Sequence, residues 1–352
     1  MKKFFIDNDI DEIITRTQDI FEQFANKHIV LTGGRGFLGR YLTEVFFKYN
    51  EILDKPIKLT VIDNLAISSE LSSVWPDYKN FKFIKSDASK QIHLEKDVDF
   101  IVHAAGIASP FYYRSKPLET LDVAVNGLRN VLNSASENNA KVIFFSSSEI
   151  YGDPDPRFVP IKETYRGNVN TMGPRACYDE GKRLGETLCY IYNNSFNVDV
   201  NIIRPFNIYG PGMQQNDYRV LPNFASNIKS NLPLNIYGSG NQTRTYCYIT
   251  DAIVGFLKVI LGGVSGEAYN IGNSKPEISV IELFKIIQKI LPNNVQRSKV
   301  DYPNTYPTDE PQRRCPDISK AQNHLNFIPI VDIEDGIKRF LTWTNLNYKK
   351  EK

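Results

Sequence analysis

The sequence predicts an α/β protein in which a doubly wound parallel sheet carries a smaller C-terminal lobe for substrate. Three observations point there. Short apolar runs and amphipathic stretches alternate through residues 28–262. A glycine-rich turn, Gly33-Gly-Arg-Gly36-Phe-Leu-Gly39, stands between the first apolar run and the first helical pattern. The composition then shifts, with Pro, Gly and Asn dense through residues 206–245. Parallel sheets are covered on both faces, so their strands read as continuous apolar runs.

Bulk composition sets the limits. The chain has 352 residues, long for one compact core, so one large domain or two are expected. A net charge of +2 argues against a nucleic-acid binder. No stretch approaches the roughly 20 apolar residues that span a bilayer, so no membrane partner is expected. The N-terminus, Met1-Lys-Lys-Phe-Phe-Ile-Asp-Asn-Asp9, reaches acids before a signal-like apolar region develops. Cys177, Cys189, Cys247 and Cys315 form no CxxC pair, and His28, His93, His103 and His324 are scattered. Neither a metal site nor a disulfide framework is expected, and the reading is cytoplasmic with reduced thiols.

Residues 1–27 read as an amphipathic helical extension. Asp9 or Asp11 would cap it, and Ile10, Ile13, Ile14, Phe21 and Phe24 fall close to one face. Ile29-Val-Leu31 is the first strand. Gly33, Gly36 and Gly39 follow at GxxGxxG spacing. One glycine allows the tight turn, one lets backbone N–H groups approach a pyrophosphate, and one lets the helix pack close on the strand. Phe37 and Leu38 open that helix, whose N-terminus faces the phosphates with its positive dipole end.

The second strand, Leu59–Asn64, brings Asp63 and Asn64 to the same edge. Asp63 would accept hydrogen bonds from the adenosine ribose, which favours NAD over NADP. The third, Phe81–Asp87, ends in a carboxylate placed to reach the adenine amine. The fourth, Asp99–Gly106, ends in Ala104 and Ala105, small enough to leave room for a nicotinamide ribose. A helix over Leu118–Asn138 and a buried strand over Lys141–Phe145 come next. That strand runs into Ser147, Ser148 and Glu149. Ligands of parallel sheets bind beyond the carboxyl ends of strands, so these three sit where substrate belongs. Another strand covers Asp199–Ile203.

Tyr178 and Lys182 lie four residues apart in Gly173-Pro-Arg-Ala-Cys-Tyr-Asp-Glu-Gly-Lys-Arg183. On a helix they share a face. An unperturbed phenol has a pKa of about 10, and a neighbouring positive charge lowers it. By itself the pair reads as a surface helix, because the spacing is common; beside a nicotinamide site it becomes a candidate base. The domains expected are the extension 1–27, a Rossmann-type NAD-binding domain over 28–205 with 245–262, and a smaller substrate-binding lobe over 206–244 with 263–348. That lobe offers Asn207, Arg219, Arg244, Asn270 and Arg314. Arginine clasps phosphate in a bidentate fork, so the set points to a diphosphate-bearing substrate.

At this point the chain resembles the extended short-chain dehydrogenase/reductase superfamily, whose NAD-dependent epimerases and dehydratases modify nucleotide sugars. The matching elements are Thr32–Gly39, Asp63, Tyr178-x-x-x-Lys182, Arg204-Pro-Phe-Asn207-Ile-Tyr-Gly-Pro and Tyr269-Asn-Ile-Gly272. Within it the chain is similar to the UDP-glucuronate decarboxylases (UDP-xylose synthases). Ser148–Pro154, Asn170–Arg183, Tyr237–Arg244 and Gln312–Ile318 carry that likeness. Three departures accompany it. Asn126 stands two positions after the family's helical Asn, at Ala124. Ser147 replaces a Thr. Ala105–Tyr113 lacks the family's consecutive prolines before a Tyr.

The resemblance implies a tightly bound, recycled NAD that takes hydride from the sugar C4 and later returns it. Tyr178 would remove the hydroxyl proton with help from Lys182, while Ser147 or Ser148 orients that hydroxyl. The 4-ketone makes a C6 carboxylate a β-keto acid, which loses CO2 through a stabilised enolate. Glu149 and Arg314 would handle the carboxylate and reprotonation at C5. A 4,6-dehydratase or a 4-epimerase of surface polysaccharide synthesis shares the 4-keto start. A non-catalytic sensor of NAD or nucleotide sugar is the reading from another class. The resemblance also implies a homodimer through Leu118–Asn138 and Pro174–Asn197.

Overall fold

In the computed structural model, which describes residues 4–67, 75, 78–92, 94–292, 295–301 and 311–350, seven strands form one all-parallel sheet. They are β1 (His28–Thr32), β2 (Lys58–Asp63), β3 (Phe81–Lys85), β4 (Phe100–His103), β5 (Lys141–Phe145), β6 (Val200–Pro205) and a late strand, Ala268–Ile271. Their spatial order is β3-β2-β1-β4-β5-β6 and then the late strand. All five residues of β1 are buried, as an inner strand covered on both faces requires. The chain moves outward from β1 to β3 and then crosses back to β4. That reversal opens a crevice beyond the carboxyl ends of β1 and β4. The late strand lies at 268–271, so the sheet draws on residues beyond 262.

Helices cover both faces. The helices of the described residues are α1 (Asp7–Arg16), α2 (Phe37–Ile52), α3 (Pro110–Ser115), α4 (Pro117–Asp122), α5 (Leu128–Asn138), α6 (Ala176–Phe196), α7 (Val220–Ser230), α8 (Ile249–Gly262), α9 (Val280–Ile290), α10 (Ser319–Leu325) and α11 (Ile333–Asn347). A π-helical turn over Val123–Gly127 joins α4 to α5, so the expected helix 118–138 is continuous but unevenly wound. Four helices end on asparagines with positive φ: Asn139, Asn197, Asn231 and Asn326. Asparagine tolerates the left-handed C-cap that closes a helix.

The extension departs from the sequence expectation. It is not one helix: α1 ends at Arg16, and a separate turn covers Phe21–Phe24. Asp9 and Asp11 do not cap it either; the helix starts at Asp7 with no side-chain cap, and Asp9 is fully buried. Ile10, Ile13 and Phe24 are buried as expected, with Phe24 edge-on to Phe46 of α2 at 5.4 Å.

The remaining strands are short. Ile208–Tyr209 pairs with Cys247–Tyr248, and Leu234–Tyr237 with Arg297–Val300. Thr243–Arg244 sits between Ile278–Ser279 and Arg313–Arg314. In that last pairing Arg314 lies level with Arg244, which fixes where its side chain enters the sheet edge. Among the described residues, no helix is long and apolar enough to cross a membrane.

Candidate active site

The glycine turn is built by close approach. Gly33 has φ +75, and a Cβ there would meet Ala105 Cα at 2.6 Å and the Ala104 carbonyl carbon at 2.8 Å. The turn after β1 therefore presses on the backbone of Ala104 and Ala105 after β4, which leaves no room for a side chain at Gly33. A Cβ on Gly39 would run into the Gly33 carbonyl and Gly34 Cα. Gly36 differs: only the Gly33 oxygen, at 3.3 Å, would crowd it. It stands at the N-terminus of α2 with no side-chain cap, just ahead of Phe37 and Leu38, so that helix end is left for another acceptor.

The acidic strand ends line the same edge. Asp63 accepts from the Arg35 N–H and the Leu65 N–H, each at 2.8 Å. This ties the glycine turn to β2. Asp87 accepts from the Ser89 N–H at 2.9 Å and the Ser89 hydroxyl at 2.8 Å. Burial works against its charge, but these bonds and the Asn64 amide outweigh it and hold the Asp87 carboxyl below its ordinary range.

Across the crevice, α6 carries Tyr178 and Lys182, both buried. Tyr113 stacks on Tyr178 with ring centroids 5.3 Å apart and planes at 13°. Lys182 Nζ donates to the Phe145 carbonyl at 2.6 Å and lies 5.9 Å from the centre of the Tyr178 ring. Contrary to the sequence expectation, the phenol is not lowered. Burial dominates and pushes Tyr178 up to about 12, against the Ser147 hydroxyl. Burial also brings Lys182 down to about 8. Ser147 caps the turn Ser148–Tyr151, accepting from the Glu149 N–H at 3.2 Å. Ser148 is buried in that turn.

Glu149 is gripped from two sides. Arg314 reaches it with Nη1 on Oε1 at 2.6 Å and Nη2 on Oε2 at 2.7 Å. Arg175 Nη2 also donates to Oε2. Arg175 Nε in turn meets Asp179 Oδ2 at 3.3 Å. Arg175, Asp179 and Tyr113 are absent from the sequence-predicted set. Arg175 and Asp179 do show helical i, i+4 spacing, the one local signal that could have found them.

The other predicted residues divide in the structure. Arg219 forks onto Asp217 and is close enough to Tyr178 for their charges to interact. Asn270 is a correction: it is fully buried, accepts from the Tyr151 hydroxyl at 2.7 Å and donates to the Ile161 and Asp317 carbonyls. Its amide is spent on the core. Asn207 adopts positive φ and donates to the Thr245 carbonyl at 2.8 Å, the work of a turn residue. Arg244 donates to the Pro311, Gln312 and Thr243 carbonyls, so its fork faces backbone. Asn126 is exposed and donates to Asp122.

Residues 29–272 match the NAD dependent epimerase/dehydratase family. The chain belongs to that family. Among its relatives, UDP-glucuronic acid decarboxylase 1 of Xenopus tropicalis is 37% identical over 314 residues, covering 89% of this chain and 71% of the relative. UDP-glucuronic acid decarboxylase 6 of Arabidopsis thaliana is 35% identical over 316 residues, covering 89% of this chain and 87% of the relative. A solved epimerase from Methanothermobacter thermautotrophicus superposes with a TM-score of 0.81 at 26% identity, covering 95% of this chain and 97% of that one. The protein is thus an NAD-dependent enzyme of this family. The residues present fit the cofactor: the uncapped end of α2, the space above Gly36 and the Asp63 carboxylate form a cradle that a side chain at Gly33 or Gly39 would destroy.

Proposed function

We propose that the enzyme decarboxylates UDP-glucuronate to UDP-xylose through a 4-keto sugar. The observation that carries this reading is the two-point grip of Arg314 on Glu149 beside Tyr178. A guanidinium that forks onto a protein carboxylate there can fork equally onto a C6 carboxylate. The two decarboxylase relatives, named for that reaction, support the same substrate.

NAD, when bound, supplies the hydride acceptor for C4. Tyr178 takes the C4 hydroxyl proton as the phenolate, a form that positive charge on Lys182 beneath and on NAD when bound has to favour against burial, with Ser147 orienting the hydroxyl. Ser148 lies in the same turn and holds its geometry. Arg314 holds the carboxylate until CO2 leaves, and Glu149 serves the proton that C5 then gains. Arg219 remains the candidate clasp for the diphosphate; Asn207, Arg244 and Asn270 support the lobe that presents it. The NAD-binding and substrate-binding regions are read as residues 28–205 with 245–262, and 206–244 with 263–348, the late strand excepted.

Two further readings go with this. Leu118 on α4 and Leu184, Tyr190 and Ile191 on α6 are exposed, which suits a helix-to-helix homodimer. Sedimentation at micromolar concentration is expected to give twice the chain mass. The four cysteines are unbonded, which suits work in the reducing cytoplasm, where a UDP-pentose would feed surface polysaccharide synthesis.

The deciding experiment is incubation of the NAD-loaded protein with UDP-glucuronate and product analysis by mass. Loss of a CO2 mass is expected. Unchanged mass with an isomeric product would replace this reading with 4-epimerisation. Loss of water from a nucleotide hexose would replace it with 4,6-dehydration. No turnover of any of these sugars, with NAD and substrate still bound, would leave a sensor.

A further inference from the structure

The Glu149 carboxylate has a second layer of charge behind it. Four groups stand in a row: Asp179, Arg175, Glu149 and Arg314. Arg175 is 4% exposed and Asp179 5% exposed, so neither is a surface pair. Arg175 divides its guanidinium, giving Nε to Asp179 and Nη2 to Glu149. Asp179 uses only Oδ2; its Oδ1 is buried and has no partner among the described residues. The four come from three places in the chain: Glu149 from the turn after β5, Arg314 from the short strand Arg313–Arg314, Arg175 and Asp179 from the start of α6.

Glu149 and Arg314 complete one another in this arrangement. If a substrate carboxylate is to be held by Arg314, that guanidinium must be shared or surrendered. Glu149 then keeps one arginine, Arg175. A single guanidinium on a flexible stem is a weak positioner unless its other edge is fixed. Asp179 fixes that edge. Resting on the reading that Glu149 serves the sugar, we propose that Arg175 and Asp179 are positioning residues. They hold Glu149 in register when Arg314 turns to the substrate, with Asp179 balancing the charge left on Arg175.

The charge of Asp179 is set by its surroundings. Burial and the Glu149 carboxylate push it up to about 7, against Arg175 and Arg314. Tyr178 and Cys177 on its own helix also feel its charge. Asp179 therefore keeps its proton to higher pH than an ordinary carboxyl does.

The test is a pair of variants in the NAD-loaded protein, assayed with UDP-glucuronate. Asp179→Asn keeps size and removes charge. It is expected to lower kcat about tenfold with KM little changed, and to move the pH-rate limb nearest neutrality. Arg175→Lys keeps charge and loses the fork. It is expected to cost about 10²-fold in kcat, the penalty of a misplaced group. Wild-type kcat, KM and pH profile in Asp179→Asn would overturn the proposal. So would a loss in kcat that tracks lost thermal stability while the pH profile stays put. If the wild type turns over no nucleotide sugar, it is the proposed reaction that fails. The row is then read from thermal stability alone. Asp179 is raised, so its stabilising contribution is present below the ordinary carboxylate range and lost as pH rises through about 7. Asp179→Asn must flatten that slope; an equal slope in both proteins overturns the row.

Discussion

Among the described residues, two clusters of carboxylates and arginines around buried groups are built to opposite ends. At the N-terminal extension, Asp9 accepts from the Tyr248 hydroxyl at 2.6 Å on one oxygen and from Arg339 at 3.2 Å on the other. Arg339 also reaches Glu12 and Asp335, each at 2.7 Å, and Glu12 accepts from Thr250. Arg16 pairs with buried Asp251, which accepts two further backbone N–H groups. Both Asp9 oxygens and both Asp251 oxygens are used. At the crevice, Asp179 leaves one oxygen over, and Glu149 is held by one arginine from the start of α6 and one from the short strand Arg313–Arg314. A saturated cluster holds elements together. An unsaturated one, beside a buried phenol, keeps capacity for a ligand or a proton.

The sharpest break between the two is expected from Tyr178→Phe. Removing the phenol oxygen should lower kcat by about 10³-fold, within the range of a lost general base. Thermal stability should hold, because the ring keeps its stack on Tyr113. Turnover by the nucleotide-sugar assay and a melting curve read both arms. A variant that stays active would remove the crevice cluster from the chemistry.

The converse is Arg339→Ala at the extension. Asp9 would stay buried with only Tyr248 for company. Breaking a buried pair by removing one partner is strongly destabilising, here about 3 kcal/mol, the low end because Asp9 can take up a proton. Denaturant unfolding should show the loss, with kcat per folded molecule unchanged. A loss no larger than that of a surface pair, below about 1 kcal/mol, would demote this cluster.

These contrasts also explain what was legible beforehand. Local chemistry read well. Gly33 and Gly39 do what their spacing demands, because the crowding partners lie within the same turn or on the adjacent strand. Asp63 sits at its strand end, and Tyr178 and Lys182 share a face of α6. What depends on distant partners read poorly. Asn270 and Arg244 carry polar groups suited to a sugar, yet the fold spends them on the Ile161 and Pro311 carbonyls, which no spacing reveals. The lowered phenol failed for a related reason: α6 points Lys182 at the Phe145 carbonyl, and burial outweighs proximity. Arg175 and Asp179 stood in plain view at i, i+4, but only the packing of α6 against the 148–151 turn shows that Glu149 is their third partner. Asp9 looked like a helix cap because acids favour first turns; its partners, Tyr248 and Arg339, lie more than two hundred residues away.

The smallest effect concerns the charge of Asp9 itself. Burial pushes it up to about 6, against the Tyr248 hydroxyl and Arg339. An unperturbed Asp lies near about 3.9. The folded protein therefore holds a proton there that the unfolded chain gives up. This contribution to stability is present below about pH 4 and lost as pH rises through 6, about 3 kcal/mol in all, of which about 2 kcal/mol falls between pH 4 and 7. Asp9→Asn cannot titrate, so its stability relative to wild type should climb across that window and level off above it. Unfolding free energies of the two proteins from pH 4 to 7 measure the difference. A parallel pair of curves would mean that Arg339 already keeps Asp9 ionised throughout. The saturated cluster would then differ from the crevice in its partners but not in its response to protons.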